Sequence, residues 1–175
     1  MKTIYLLRHA KAENGALEMQ DFDRALTPRG AEDAAALGKL MASNAPSIDW
    51  VLCSTAARAK QTWEQLSLQW THTPPAQFSD KLYLATTGDL LHELHQLDNN
   101  CQSFMLVGHN PGLHHLAFTL VGSGEKSLLN ELEIQFPTCA LAVITVDCDR
   151  WEDINPSQGI LTQFHYHHAQ ADRVA

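Results

Sequence analysis

Ile4-Tyr5-Leu6-Leu7-Arg8-His9-Ala10 is a short apolar run that ends in a cation and an imidazole. The run reads as a first strand, and in an open α/β sheet chemistry gathers just beyond the carboxyl ends of the strands. An Arg-His pair placed there can hold phosphoryl oxygens and supply a nitrogen nucleophile.

Three further segments share this logic. Trp50-Val51-Leu52 runs into Cys53-Ser54-Thr55-Ala56-Ala57-Arg58, where small hydroxyl residues between a strand and a helical stretch suit a helix cap, and Arg58 falls in the first helical turn. Phe104-Met105-Leu106-Val107 ends in Gly108-His109, with Asn110 and Pro111 suited to open the next helix. In Asp21-Phe22-Asp23-Arg24-Ala25-Leu26-Thr27-Pro28, Thr27 reads as an N-cap, Pro28 as the first helical residue, and Arg24 lies in the loop just before.

Strands are expected near Lys2-Leu7, Trp50-Cys53, Phe104-Gly108, Leu141-Asp147 and Ile160-His165, with a short one at Gln77-Phe78. Helices are expected from Thr27 to Ser43, Ala56 to Leu68, Gly88 to Leu97 and Pro111 to Val121; the stretch 122–140 is assigned no element. This alternation predicts an α/β fold: a three-layer α/β/α sandwich on a mostly parallel central sheet, with an antiparallel edge strand where the last two strands return on one another.

Together the four segments resemble the histidine phosphatase, or phosphoglycerate mutase-like, superfamily, over most of the chain from Thr3 to about Phe164. Within it the chain looks most similar to the small SixA-type phosphohistidine phosphatases. The resemblance puts the catalytic histidine and its arginine on His9 and Arg8, the second arginine on Arg58 of Ser-x-x-x-Arg, the second histidine on His109, and the loop arginine before Leu-Thr-Pro-x-Gly on Arg24. It implies catalysis by His9, Arg8, Arg58 and His109, with phosphate bound by Arg8, Arg24, Arg58 and His109. Ala10 stands where the commonest superfamily motif has glycine.

With 175 residues, 45% of them hydrophobic, the chain has room for one core, and residues 1–175 are expected to form a single domain with a flexible tail from about 166. A net charge of −8 argues against nucleic acid or an anionic membrane as partner. A pocket of a few arginines is compatible with it. Cys53, Cys101, Cys139 and Cys148 show neither CxxC nor zinc spacing, no apolar stretch reaches the length of a membrane span, and the N-terminus is too short in apolar residues for a signal peptide. A cytoplasmic protein is expected.

The chemistry requires no metal or other cofactor, because arginines take the place of a cation on the phosphoryl oxygens. Asp21 and Asp23 are expected to orient Arg24. His92 and His95 have a usable metal spacing without a third ligand, and His165-Tyr166-His167-His168 reads as a solvated terminal segment.

Family members that hydrolyse phosphate monoesters carry a glutamate after the third strand to protonate an alcohol. Here Lys81 to Leu90 contains none, Glu93 falls in a helix, and Asp89 reads as a helix cap or an auxiliary acid, with Asp21 as another auxiliary. A positioned acid contributes about 10²- to 10⁴-fold, on the order of 3 to 5 kcal/mol. An imidazole leaving group, with an ordinary pKa of about 6.5, does without it. The expected substrate is therefore phosphohistidine in a signalling or phosphocarrier protein. A small phosphorylated molecule, as for a phosphomonoesterase, is the alternative substrate, and a non-catalytic phosphate- or phosphoprotein-binding module the alternative of another class.

Overall fold

The computed structural model describes residues 1–15, 19–44 and 47–166. Its elements run β1 (Lys2–Arg8), α1 (Pro28–Ser43), β2 (Trp50–Ser54), α2 (Ala57–Ser67), β3 (Ala76–Ser79), α3 (Thr87–His95), β4 (Ser103–Gly108), α4 (Gly112–Leu120), β5 (Val121–Gly124), α5 (Lys126–Ile134), β6 (Leu141–Val146) and β7 (Gly159–His165). The tail read as flexible and His-rich falls, from residue 167 on, outside the described residues.

All the strands join one sheet in the order β3-β2-β4-β1-β6-β7-β5. The strands β3, β2, β4 and β1 are parallel neighbours, so Ile4 pairs with Phe104, Arg8 with Gly108 and Cys53 with Val107. The antiparallel return is present: β6 runs against both β1 and β7. That reversed strand lies inside the sheet, because β7 pairs along its far side, and β5 adds itself parallel to β7 at the outer edge.

Alternation along each strand divides the apolar side chains between two cores. Ile4, Leu6, Leu52, Phe104, Leu106, Ala142 and Ile144 face one way and meet α3, α4 and α5 through Leu90, Leu94, Leu113, Leu116 and Leu132. Leu7, Val51, Cys53, Met105, Val107, Leu141 and Val143 face the other way and meet α1 and α2 through Ala34, Leu37, Met41, Trp63 and Leu66. The strands are covered on both faces, which is why they read as unbroken apolar runs. A Leu106→Ala cavity at the centre should cost about 2 to 5 kcal/mol.

Cap and periodicity agree at α1. Thr27 accepts the Gly30 amide at 2.9 Å, Pro28 opens α1, and its buried residues Ala34, Leu37, Gly38 and Met41 share one stripe. The helix expected to Val121 ends at Leu120, and Val121 instead opens β5, which with α5 fills the stretch to which sequence assigned no element. Gly122 in β5 approaches Ser157 so closely that a Cβ there would stand 1.9 Å from its carbonyl oxygen, and α5 buries only Leu132. Among the described residues no helix is long and apolar enough to cross a membrane.

Candidate active site

The parallel strands β1, β2 and β4 end level with one another, so the residues that follow them converge on one edge. There a cavity of about 470 Å³ is lined by Arg8, His9, Lys11, Ala12, Asp21, Arg24, Arg58, Leu84, His109, Asn110 and Thr138. All four residues read from sequence as catalytic, and the additional phosphate ligand Arg24, face it.

His9 is clamped at its backbone: its amide donates to the Gly108 carbonyl at 3.1 Å and its carbonyl accepts from the Cys139 amide at 3.1 Å. The next amide, Ala10, donates to Thr62 Oγ1 at 2.9 Å, and Ala10 is fully buried. The ring is fixed as well. Nδ1 lies 2.8 Å from the Ala10 carbonyl, which can only accept, so Nδ1 carries the proton and Nε2 presents a lone pair. Arg58 Nε donates to that lone pair at 3.2 Å. Burial first, then the charges of Arg58, Arg8 and Arg24, lowers the His9 pKa to about 4, while the bond to Ala10 opposes the shift. At neutral pH the His9 ring is uncharged.

His109 lies beside it, the two ring centroids 5.1 Å apart. Its Nε2 shares a hydrogen bond of 2.8 Å with Ser54 Oγ, and its buried Nδ1 has no partner. Desolvation, followed by the neighbouring His9 and Arg58, brings its pKa down to about 3. Ser54 therefore has a different task from the cap expected of it. It accepts the Ala56 amide at 3.3 Å and holds His109, Thr55 donates to Asp80 at 2.5 Å, and α2 starts after Ala56 without a side-chain cap.

The arginines differ in how they are held. Arg8 donates through Nη1 to the Phe136 carbonyl at 2.9 Å, an oxygen shared with Asn110 Nδ2 at 2.8 Å, and its buried Nε has no partner. Arg58, only 3% exposed, has all three nitrogens engaged: Nε with His9, Nη1 with the Asp21 carbonyl at 2.5 Å, and Nη2 with Asp21 Oδ2 at 2.9 Å. Arg24 donates to the Glu13 carbonyl at 2.6 Å and to Asp21 Oδ1 at 2.7 Å.

Asp21, on a short 3-10 turn at Asp21–Asp23, thus bridges both Arg24 and Arg58, more than the single arginine sequence gave it. Tyr83 donates its hydroxyl to the same carboxylate at 2.7 Å. That bond, then those from Arg24 and Arg58, holds the Asp21 carboxyl far below the usual carboxylate range. Tyr83 also stands edge-on to His109 at 5.5 Å and to Phe22 at 5.0 Å, and under the Arg58 guanidinium at 5.7 Å. Sequence reading missed Tyr83, since a lone tyrosine after a short strand has no spacing that marks it.

The other candidates stand elsewhere. Asp89 closes a capping box at the start of α3, its carboxylate accepting from the Thr86 amide and hydroxyl at 2.9 and 2.6 Å. Glu93 lines a different cavity, with Asp49 and Trp50. His95 donates to the Ile154 carbonyl at 2.9 Å, and among the described residues no three His, Cys, Asp or Glu side chains gather to hold a metal ion.

Comparison with known proteins gives a consistent picture. The family model described as the histidine phosphatase superfamily (branch 1) matches residues 4–83. An uncharacterized protein of Mycobacterium tuberculosis is 33% identical over 163 residues, covering 91% of this chain and 98% of its own length. Two solved structures, each assigned as a phosphohistidine phosphatase SixA, superpose along nearly the whole chain. The one from Agrobacterium tumefaciens has a TM-score of 0.81 and 31% identity, covering 95% of this chain and 98% of that one. The one from Nakamurella multipartitia has a TM-score of 0.80 and 28% identity, covering 94% and 95%.

Proposed function

The chain belongs to the histidine phosphatase superfamily, and we propose that it is a metal-independent, SixA-like phosphatase that removes phosphate from phosphohistidine in a partner protein through a covalent intermediate on His9. The observation that carries the choice of substrate is the state of Asp21. It is the one carboxylate among the described residues lining the cavity, and it is held ionised by Tyr83, Arg24 and Arg58. An ionised carboxylate has no proton to give an alkoxide. A phosphorylated imidazole leaves without one, since its second ring nitrogen takes a proton near neutral pH.

In the first step the lone pair of His9 Nε2 attacks phosphorus in line. The bond from phosphorus to the substrate nitrogen breaks, and its electron pair returns to the departing imidazole. As phosphorus approaches, Arg58 Nε–H leaves the nitrogen lone pair for a phosphoryl oxygen. Arg8 supplies its unpartnered Nε–H, and Ala10 C=O steadies the Nδ1 proton as the ring takes on positive charge. The Ser54 hydroxyl donates to His109 Nε2, so that His109 Nδ1–H points its proton at the phosphoryl group. These donors act on charge that grows in the transition state, and Arg58 and His109 are themselves buried. In the second step water attacks phosphorus, the P–Nε2 bond breaks, and inorganic phosphate takes up the proton.

The test is a side-by-side assay of a phosphohistidine protein such as a phosphotransfer domain, an aryl phosphate and an alkyl sugar phosphate after treatment with chelator. Phosphohistidine should be preferred, the aryl ester tolerated because a phenolate leaves unaided, and the alkyl ester turned over poorly. Fast alkyl phosphate hydrolysis would instead make the protein a small-molecule phosphomonoesterase, and activity restored only by added metal would remove metal independence.

A further inference from the structure

We propose that Asp21 is a built-in competitor for the phosphoryl group: its carboxylate occupies the Arg24 and Arg58 donors in the free protein and must yield them to phosphate, which keeps the product from being trapped. Asp21 presents its two oxygens to two different guanidinium groups, Oδ1 to Arg24 at 2.7 Å and Oδ2 to Arg58 at 2.9 Å. A planar anion spanning two arginines resembles part of a bound phosphate. Its side chain is 46% exposed, whereas that of Arg58 is 4% exposed, so the carboxylate rather than the guanidinium is the partner with room to move.

The charges give the competition a purpose. Arg8, Arg24 and Arg58 bring three positive charges to the inner cavity, with Lys11 exposed at its rim, while His9 and His109 are neutral. A phosphate of about two negative charges meets a nearly matched set when Asp21 remains nearby. Without that carboxylate the same donors would face only the product. Tight binding of product as well as transition state gives no acceleration, because only differential binding does.

A brace and a competitor differ in the sign of one measurement. Inorganic phosphate and tungstate are titrated calorimetrically into wild type, Asp21→Asn and Tyr83→Phe. The competitor role predicts about tenfold tighter phosphate binding by Asp21→Asn, since a charged rival is replaced by a neutral one. It also predicts about twofold tightening by Tyr83→Phe, which frees the carboxylate from one anchor. In turnover, Asp21→Asn should lower kcat more than kcat/KM and strengthen inhibition by phosphate. Unchanged or weaker phosphate binding by both variants would make Asp21 a brace and overturn the proposal. The inference rests on the phosphatase reading only for its kinetic part: should the protein release no phosphate from any substrate, that reading fails while the calorimetry still decides the role of Asp21. If Asp21→Asn does not fold, Tyr83→Phe decides it alone by the same sign.

Discussion

The two ends of β1 each carry a cation, and they are treated in opposite ways. Lys2, at the start of the strand, is fully buried, donates to the Asn99 and Cys101 carbonyls at 2.7 and 2.8 Å, and lies 5.3 Å from the Trp151 ring. Arg8, at the other end, keeps a buried Nε without a partner, and near it His109 Nδ1 and Asn110 Oδ1 are equally unmatched. Buried polar groups are nearly always paired, so Lys2, whose ammonium is bonded to two carbonyls, serves the fold, whereas the unmatched Arg8 Nε, His109 Nδ1 and Asn110 Oδ1 gather at the end of the strand that faces the arginine-lined cavity. Cavity size alone points the wrong way. A larger cavity, about 640 Å³, lies at the Lys2 end among Asp49, Trp50 and Asn100 and holds none of the arginine and histidine set.

The sharpest way to break this contrast is to remove His9, the proposed nucleophile. His9→Asn should lower phosphate release by about 10⁴-fold or more while thermal unfolding moves by only a few degrees, since the strand before it stays packed. Retention of more than a few per cent of activity would end the covalent account. Arg8→Ala and Arg58→Ala should each lower kcat/KM by about 10²- to 10³-fold, the usual loss for one donor on developing charge. Lys2→Met reverses the pattern: it should cost about 2 to 3 kcal/mol in denaturant unfolding, by stranding two carbonyls, and leave turnover within about twofold. A Lys2 variant that is stable but inactive would erase the distinction between the two ends. Asp89→Asn should change phosphohistidine hydrolysis by less than tenfold, well under a positioned acid's contribution.

A further test concerns pH. His9 and His109 have folded pKa values of about 4 and about 3, below the unfolded value of about 6.5. Between pH 6.5 and 4 the unfolded chain therefore binds more protons than the folded one, and stability falls as pH drops through that window. Their part is read as the difference between the pH slopes of unfolding stability of wild type and a His9→Asn/His109→Asn double variant, the wild type losing stability more steeply as pH falls. Equal slopes would mean that the two imidazoles are not held neutral by the fold.

Much of this arrangement was legible in the chain. Strands covered on both faces appear as apolar runs, and Thr27-Pro28 and the Arg-His and Gly-His pairs mark where elements begin and end, so the sheet and the convergence of Arg8, His9, Arg58 and His109 follow from local pattern. What stayed hidden depends on partners distant in sequence. Tyr83 matters because it meets Asp21, 62 positions away, and Ser54 because it meets His109, 55 positions away. Likewise β5, four residues with two glycines, is a strand only because β7 offers it an edge. A capping pattern did not identify the work of Ser54, because a hydroxyl at a strand end serves a helix amide and an imidazole equally well.

The central claim, a nucleophilic lone pair on His9 Nε2, is tested most directly by trapping the intermediate. Wild-type protein turning over a phosphohistidine protein or an aryl phosphate is quenched in alkali, which preserves phosphohistidine, and the phosphorylated position is located by peptide mass spectrometry and phosphorus NMR. One phosphoryl group on His9, bonded through Nε2 and missing from His9→Asn, is the predicted result. Phosphate on Nδ1 or on His109, or full turnover with no phosphorylated protein at any quench time, would contradict it.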